Sequence, residues 1–318
     1  MASQMMTTAD QAQEMLAVAY AIETRYRMWP RELNEIYPAT KKTHRIFERV
    51  VRKQTFTAAQ VTGEADAPTL TSSRELYQTD YTIRTVQQQY QITRLALDTN
   101  LYFEQFEDYN RQLERSFEVA KENQAILPIA LATSPTAPQS DGVTLASVNH
   151  PIAATGGVQA NTFTIPVDLA LMPLEFANIK IGQLVDEGGN PMSLMGKKLI
   201  VGTLNGYVAQ VLCYSPDDPS TANRAINPMY HKVSEHRSLP DGFRINHYVQ
   251  NRADWFIMTN LETGRQHYEL TPFEIQVIPS NTMQAFTGRG YEAYVFGFDD
   301  WRAIFFVTGQ GQIFPGLS

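Results

Sequence analysis

Three residue types that hydrolases use together fall within ten positions: Asp141, Ser147 and His150. An imidazole oriented by a carboxylate can take the proton of a serine hydroxyl and turn it into a nucleophile. That chemistry needs the serine on a strained, exposed turn, with its partners held by separate rigid segments. Here all three share one Gly/Pro-bounded loop, where Asp and Ser side chains stabilise turns through the nearby backbone. A hydrolase using the Asp141–His150 loop is therefore the weaker reading.

Two carboxylate pairs, Asp217-Asp218 and Asp299-Asp300, are of the kind that hold metals or move protons. The first is flanked by Pro216 and Pro219, and the second lies between two β-prone runs. Both read as turns. His231 and His236 are five apart, which puts them off any common helical face, and no His-Glu-x-x-His pattern occurs. Gly196-Lys197-Lys198 lacks the upstream glycine of a phosphate-binding loop, and neither a nucleophile elbow nor a dinucleotide fingerprint is present. No catalytic residue, cofactor or metal ligand is assigned. Cys213 is the one cysteine and sits in an apolar stretch, so it reads as a small buried hydrophobe of a protein kept in a reducing compartment.

The elements that would position any site are those of a folded protein. The chain has 318 residues, 43% hydrophobic and 19% charged, enough for one large domain or two ordinary ones. Its net charge of -7 argues against a protein that coats nucleic acid by counterion release. The N-terminus lacks the basic start and apolar core of a signal peptide, and no apolar run approaches the roughly 20 residues that span a bilayer.

Residues 8–25 carry Met15, Leu16, Ala19 and Ile22 at helical spacing. The chain then looks extended to Pro38, without a core of its own. Residues 45–95 contain two β-prone runs, 46–56 and 77–92, around a turn-rich tip at 61–68, and predict a long two-stranded hairpin. An isolated hairpin is marginal in water, so this one is a candidate inter-subunit arm. Its first strand carries Lys41, Lys42, Arg45, Arg49, Arg52 and Lys53 against Glu48 alone, a local charge of +5. Such charge either keeps a solvated strand edge from unwanted pairing or meets acidic patches on a neighbour. On the second reading Arg45, Arg49, Arg52 and Lys53 are the contact residues.

Residues 98–125 predict the longest helix. Tyr102, Phe106, Tyr109, Leu113, Phe117 and Ala120 form one apolar stripe, while Glu104, Glu107, Asp108, Arg111, Glu114 and Lys121 occupy the other faces. Pro128 is expected to end it, giving a spine about 40 Å long. A Pro-, Ser- and Gly-rich loop follows at 132–155. Helices are then expected at 167–181 and 205–212. Strands are expected at 198–201, 255–258, 274–277, 291–298 and 303–307, and the whole is α+β.

Five segments, in order, are similar to those of tailed-phage major head proteins, the Mu-like head subunit group above all. Asp141-Gly142-Val143-Thr144-Leu145-Ala146-Ser147-Val148-Asn149-His150-Pro151 resembles their D-G-x-x-L-x-S-x-x-H-P segment. Gly196-Lys197-Lys198-Leu199-Ile200-Val201 resembles the strand before a helix. Thr221-Ala222-Asn223-Arg224-Ala225-Ile226-Asn227-Pro228 resembles the T-A-N-x-x-N-P loop with one residue more. Ala253-Asp254-Trp255-Phe256 and Asp300-Trp301-Arg302-Ala303-Ile304 match the x-D-W-F and D-W-R-A stretches.

The resemblance implies the Hong Kong 97-type capsid fold: an N-terminal arm (1–40), an extended hairpin loop (41–96), a peripheral domain with the spine helix (97–160), an axial domain (161–272) and returning peripheral strands (273–318). It implies a major capsid protein that self-assembles into hexamers and pentamers around double-stranded DNA, in a virion built in the host cytoplasm. An encapsulin-like bacterial compartment is the alternative on the same fold. Portal and decoration proteins are implied partner classes. Residues 1–40 are too few for a built-in scaffolding segment, so scaffolding is expected from a separate protein. Some relatives join a hairpin lysine to a neighbour's asparagine; Lys53 lies in the hairpin, but no motif here marks a partner asparagine.

Overall fold

A computed structural model of the chain describes residues 31–64, 67, 70–93, 95, 103–154, 156–217, 227–230, 239–280 and 285–311. The helix expected at 8–25, and His231 and His236, lie outside them. In chain order the elements begin with a short helix α1 (Leu33–Ile36), then β1 (Lys41–Lys42), β2 (Phe47–Lys53), β3 (Glu75–Thr82), β4 (Arg84–Thr93) and the long helix α2 (Phe103–Ala130). After β5 (His150–Pro151) and β6 (Val158–Gln159) come α3 (Leu171–Gly182), β7 (Gly196–Val201) and α4 (Gly206–Tyr214). The chain closes with β8 (Phe243–Ile245), β9 (Trp255–Thr259), β10 (Arg265–Ser280), β11 (Ala285–Phe298) and β12 (Ile304–Val307).

Two four-stranded sheets organise these elements, in the orders β1-β10-β11-β4 and β12-β9-β7-β8. The second is the deeper. Every residue of β9 and β12 is buried, as are Leu199, Ile200 and Val201 of β7. Such continuous apolar runs mark strands covered on both faces. The buried residues Leu174, Ala177 and Ile181 of α3, and Ala209, Leu212 and Cys213 of α4, join the same core. The helix expected at 167–181 starts later, at Leu171, and Pro173 neither bends nor splits it, because it falls in the first turn, where no intrahelical N–H is lost. The Cys213 thiol is pushed up to about 12 by burial, so it stays protonated and inert.

The spine helix packs against the first sheet. Phe117 meets Phe273 at 5.0 Å between ring centroids, within a small cluster that includes Leu113 and Ile275. Gly290 of β11 lies beneath it, where an added Cβ would stand 2.6 Å from the Phe117 ring. Three expectations for this helix are corrected. Pro128 lies inside it, and the helix continues to Ala130, since one missing N–H near a terminus is a small loss against the burial of Ala125, Ile126 and Ile129. Tyr109 is 40% exposed rather than buried. Glu114 and Lys121 are buried, not solvated, because the face opposite the apolar stripe is also covered. Lys121 is held there by Glu269 at 3.1 Å and by Glu292. The Phe106 side chain lies outside the described residues.

The expected hairpin is half right. Its first run pairs with β3, Phe47 opposite Thr82 and Val50 opposite Thr79. Beyond Ile83 the chain leaves the hairpin, and β4 pairs with β11 from Arg84↔Tyr294 to Thr93↔Ala285. The apolar residues change phase here, from Tyr81 and Ile83 to Val86, Tyr90 and Ile92, which is the sequence signal of the break, although the period alone does not name the new partner. β10 starts at Arg265, and β12 lies in the second sheet beside β9. The segment before Pro38 is part helix rather than extended, and having no core of its own it joins the main one. Leu33, Ile36 and Tyr37 are buried, the Leu33 N–H donates to Glu122 Oε1 at 3.2 Å, and the Tyr37 hydroxyl donates to the Ala125 carbonyl at 3.1 Å.

Candidate assembly surface and its anchoring

β2 alternates half-buried and exposed residues, so its basic side chains divide by parity. Arg45 and Lys53 are exposed and form no ion pair among the described residues. Arg49 is also exposed, but it donates two hydrogen bonds across the hairpin to Asp80, at 2.6 and 2.8 Å. That bidentate pairing holds the Asp80 carboxyl below its ordinary range. Exposed apolar side chains accompany the charges: Ile46, Phe47, Val51 and Phe56.

Arg52 points the other way. Its guanidinium reaches Asp300 at 3.1 Å and Glu187 at 3.4 Å, and donates to the carbonyl of Asp299. Arg302, itself buried, donates to the same Glu187 oxygen at 2.9 Å and lies 3.4 Å from Asp300. Asp300 also accepts the Arg302 N–H at 2.9 Å, capping the turn 301–303. Asp299, raised by burial, accepts from Gln266 at 3.3 Å. The Asp299-Asp300 pair is thus a turn, as expected, and also the hub of an ion network. Glu187 went unmarked in the sequence, although Asp186-Glu187-Gly188-Gly189 carries a turn signature.

The loop bearing Glu187 also grips the hairpin directly. The Gly188 N–H donates to Thr55 Oγ1 at 2.9 Å, and Asn190 Nδ2 donates to the Phe56 carbonyl at 2.8 Å. A Cβ at Gly188 would stand 2.7 Å from that carbonyl oxygen. Although burial pushes Asp186 upward, hydrogen bonds from Asn190, Thr55 and Gly188 leave its carboxyl below the ordinary range. The β2–β3 ladder is therefore fixed to the body at its turn-ward end, from Arg52 to Phe56, while its outward residues remain exposed.

The residues that suggested hydrolysis assemble differently. His150 Nδ1 lies 2.7 Å from Asp141 Oδ2, but Nε2 lies 3.2 Å from Asn161 Oδ1, and no bond joins it to Ser147. The Ser147 hydroxyl oxygen instead accepts the Asn149 N–H at 3.1 Å, a local turn. Asp217 lies in a loop where the Ser215 hydroxyl donates to its carbonyl, and Asp218 is outside the described residues. One histidine elsewhere is strongly perturbed: burial, then the charge of Lys121, lowers His267 to about 3. It lines a cavity of about 310 Å³ with Thr40, Lys121 and Glu292. Its Nδ1 lies 2.9 Å from Thr40 Oγ1, and its ring stacks on Phe296. Among the described residues no group of three or more His, Cys, Asp or Glu could hold a metal ion, and no helix is long and apolar enough to cross a membrane.

No protein-family model and no curated protein matches the chain. Solved structures do. A protein of Mycobacterium phage Patience aligns with TM-score 0.55 at 9% identity, over 93% of this chain and 88% of its own. The capsid of a native GTA particle aligns with TM-score 0.52 at 10% identity, over 87% and 89%. A phage-related protein from Bordetella bronchiseptica RB50 aligns with TM-score 0.51 at 10% identity, over 92% and 96%. The chain has the α+β Hong Kong 97-type capsid fold. The Mu-like grouping rests on the sequence segments alone.

Proposed function

We propose that this chain is the major capsid protein of a tailed bacteriophage, assembling with itself into the hexamers and pentamers of an icosahedral head. The observation that carries this reading is a capsid-subunit fold matched along nearly the full length of both chains compared. The five collinear segments and a hairpin anchored beyond Arg52, with the outward side chains of β2 exposed, support it. In this reading the first sheet and α2 form the peripheral part, and the second sheet with α3 and α4 forms the axial part. Arg45 and Lys53 meet acidic patches on a neighbouring subunit, while Arg52 serves its own chain. The head encloses double-stranded DNA without reading its sequence, in keeping with a net charge of -7. A separate scaffolding protein and a portal complete the assembly in the host cytoplasm.

Electron microscopy and light scattering of the purified full-length protein, alone and with its scaffolding protein, test this. Closed shells or capsomer rings are expected. A small closed dimer or tetramer under both conditions would refute the reading. Packaged DNA, rather than an enzyme cargo, distinguishes a phage head from a bacterial compartment.

A further inference from the structure

The Asp141–His150 pair has no part in the function proposed above, yet it is buried and bonded on every side. His150 lies parallel to the Trp301 indole, with ring centroids 4.0 Å apart and an interplanar angle of 6°. Its Nδ1 faces an Asp141 oxygen and its Nε2 faces Asn161 Oδ1. What Asn161 presents is fixed by its other partners. Its Nδ2 lies 2.8, 3.1 and 3.2 Å from the carbonyl oxygens of Leu145, Trp301 and Ile304. Its Oδ1 accepts the Ser147 N–H at 2.9 Å. Turning the amide over would set its oxygen against three carbonyls and its NH2 against an N–H. The atom that meets the imidazole is an acceptor.

An imidazole between two acceptors needs a proton in each contact. We propose that the Asp141–His150 pair holds two protons in the folded protein, one on Nε2 donated to Asn161 and one between Nδ1 and Asp141. The pair is then a proton-dependent clasp, tying the loop 139–161 to the turn 301–303 and to β12. A neutral imidazole beside an ionised aspartate holds only one proton. With that proton on Nδ1, the Nε2 lone pair would face the lone pairs of Asn161 Oδ1 in a site closed to water, an unpaired contact. The usual hydrolytic arrangement, with Nε2 free to accept, is the opposite state.

The charges around the clasp leave Asp141 to His150. Arg302 lies 4.4 Å from the Trp301 ring but is paired with Glu187 and Asp300, and Arg52 is paired with the same two carboxylates. The Tyr77 phenol, raised by burial and by Glu187 and Asp141, completes the set.

Nitrogen-15 NMR of the full-length, histidine-labelled protein at neutral pH tests the proposal, with the His150 signals assigned through His150→Gln. The expected result is a directly bonded, slowly exchanging proton on Nε2. A lone pair on Nε2 with the only proton on Nδ1 would overturn it. If His150→Gln does not fold, Asp141→Asn identifies the same ring, and its amide donating to Nδ1 should leave the proton on Nε2 alone. As a second measurement, the Nδ1 signal of the natural protein should lie away from that of a bare imidazole nitrogen, as a proton shared with Asp141 requires, and a bare lone pair on Nδ1 overturns the clasp.

Discussion

Arg52, on the arm, and Arg302, buried in the body, donate to the same carboxylate oxygen of Glu187, at 3.4 and 2.9 Å. Two guanidiniums brought this close repel unless carboxylates stand between them, and Glu187 and Asp300 do so. The orientation of the arm is thereby linked to the last turn of the fold before β12. Several outcomes depend on that link and on the packing around it.

Removing Glu187 as Glu187→Ala should be far more damaging than removing either exposed hairpin partner. It leaves Arg302 buried without its closest carboxylate, a loss of about 3–5 kcal/mol for broken buried pairs. Thermal or urea unfolding measures it. Arg49→Ala, on the exposed Asp80 pair, should leave the melting temperature unchanged.

Phe117, rather than a residue nearer the start of the spine helix, should be the sensitive aromatic. Phe117→Ala removes a buried ring packed on Phe273 and Gly290, and should cost about 3–5 kcal/mol. That is a large part of a typical domain's stability of about 5–15 kcal/mol. The expected result is insoluble subunit. Soluble, assembling protein would show that the cluster collapses around the gap.

Arg45→Glu with Lys53→Glu should behave in the opposite way. Both side chains are exposed, so unfolding curves should match the natural protein while electron microscopy shows no closed shells. Deleting residues 62–72 at the hairpin tip should have the same signature. Normal shells from the double variant would make the basic strand a solvated edge and nothing more.

Glu122 supplies a pH dependence. Burial raises its carboxyl to about 7 from an ordinary 4.5, even though the Leu33 N–H donates to it. A carboxyl raised in the folded state binds protons more tightly there than in the unfolded chain. Its contribution is therefore full below about 4.5 and is lost as pH rises toward about 7. Glu122→Gln, which can still accept the Leu33 N–H, should match the natural melting temperature in acid and exceed it at neutral pH. Equal melting temperatures across that range would contradict the assignment.

What could be read from the residues was whatever local period and composition decide. The strands at 198–201, 255–258 and 303–307 are short runs of apolar residues, and such runs become buried strands wherever they land. The long helix was visible because its stripe repeats at three and four residues over several turns. The ordered segments from Asp141 to Ile304 pointed to the capsid fold through their resemblance to tailed-phage head proteins.

Pairing partners and charge environments belong to the tertiary structure. The run 77–92 changes phase between Ile83 and Val86, its apolar residues passing from odd to even positions, which marks a break but not a partner; only the position of β11 supplies that. Glu114, Lys121 and Glu122 look like a solvated helix face until α1 and the first sheet cover them. Arg45, Arg49, Arg52 and Lys53 are alike as letters, but strand parity and the approach of Glu187 and Asp300 send Arg52 inward and leave Arg45 and Lys53 outside. Asp141 and His150 were conspicuous as a pair. That their third partner is Asn161, eleven residues beyond the histidine, rather than the nearer Ser147, followed only when β12 and the turn before it closed over the loop. Sequence sets what each segment can bury; the fold settles which buried polar groups must satisfy one another.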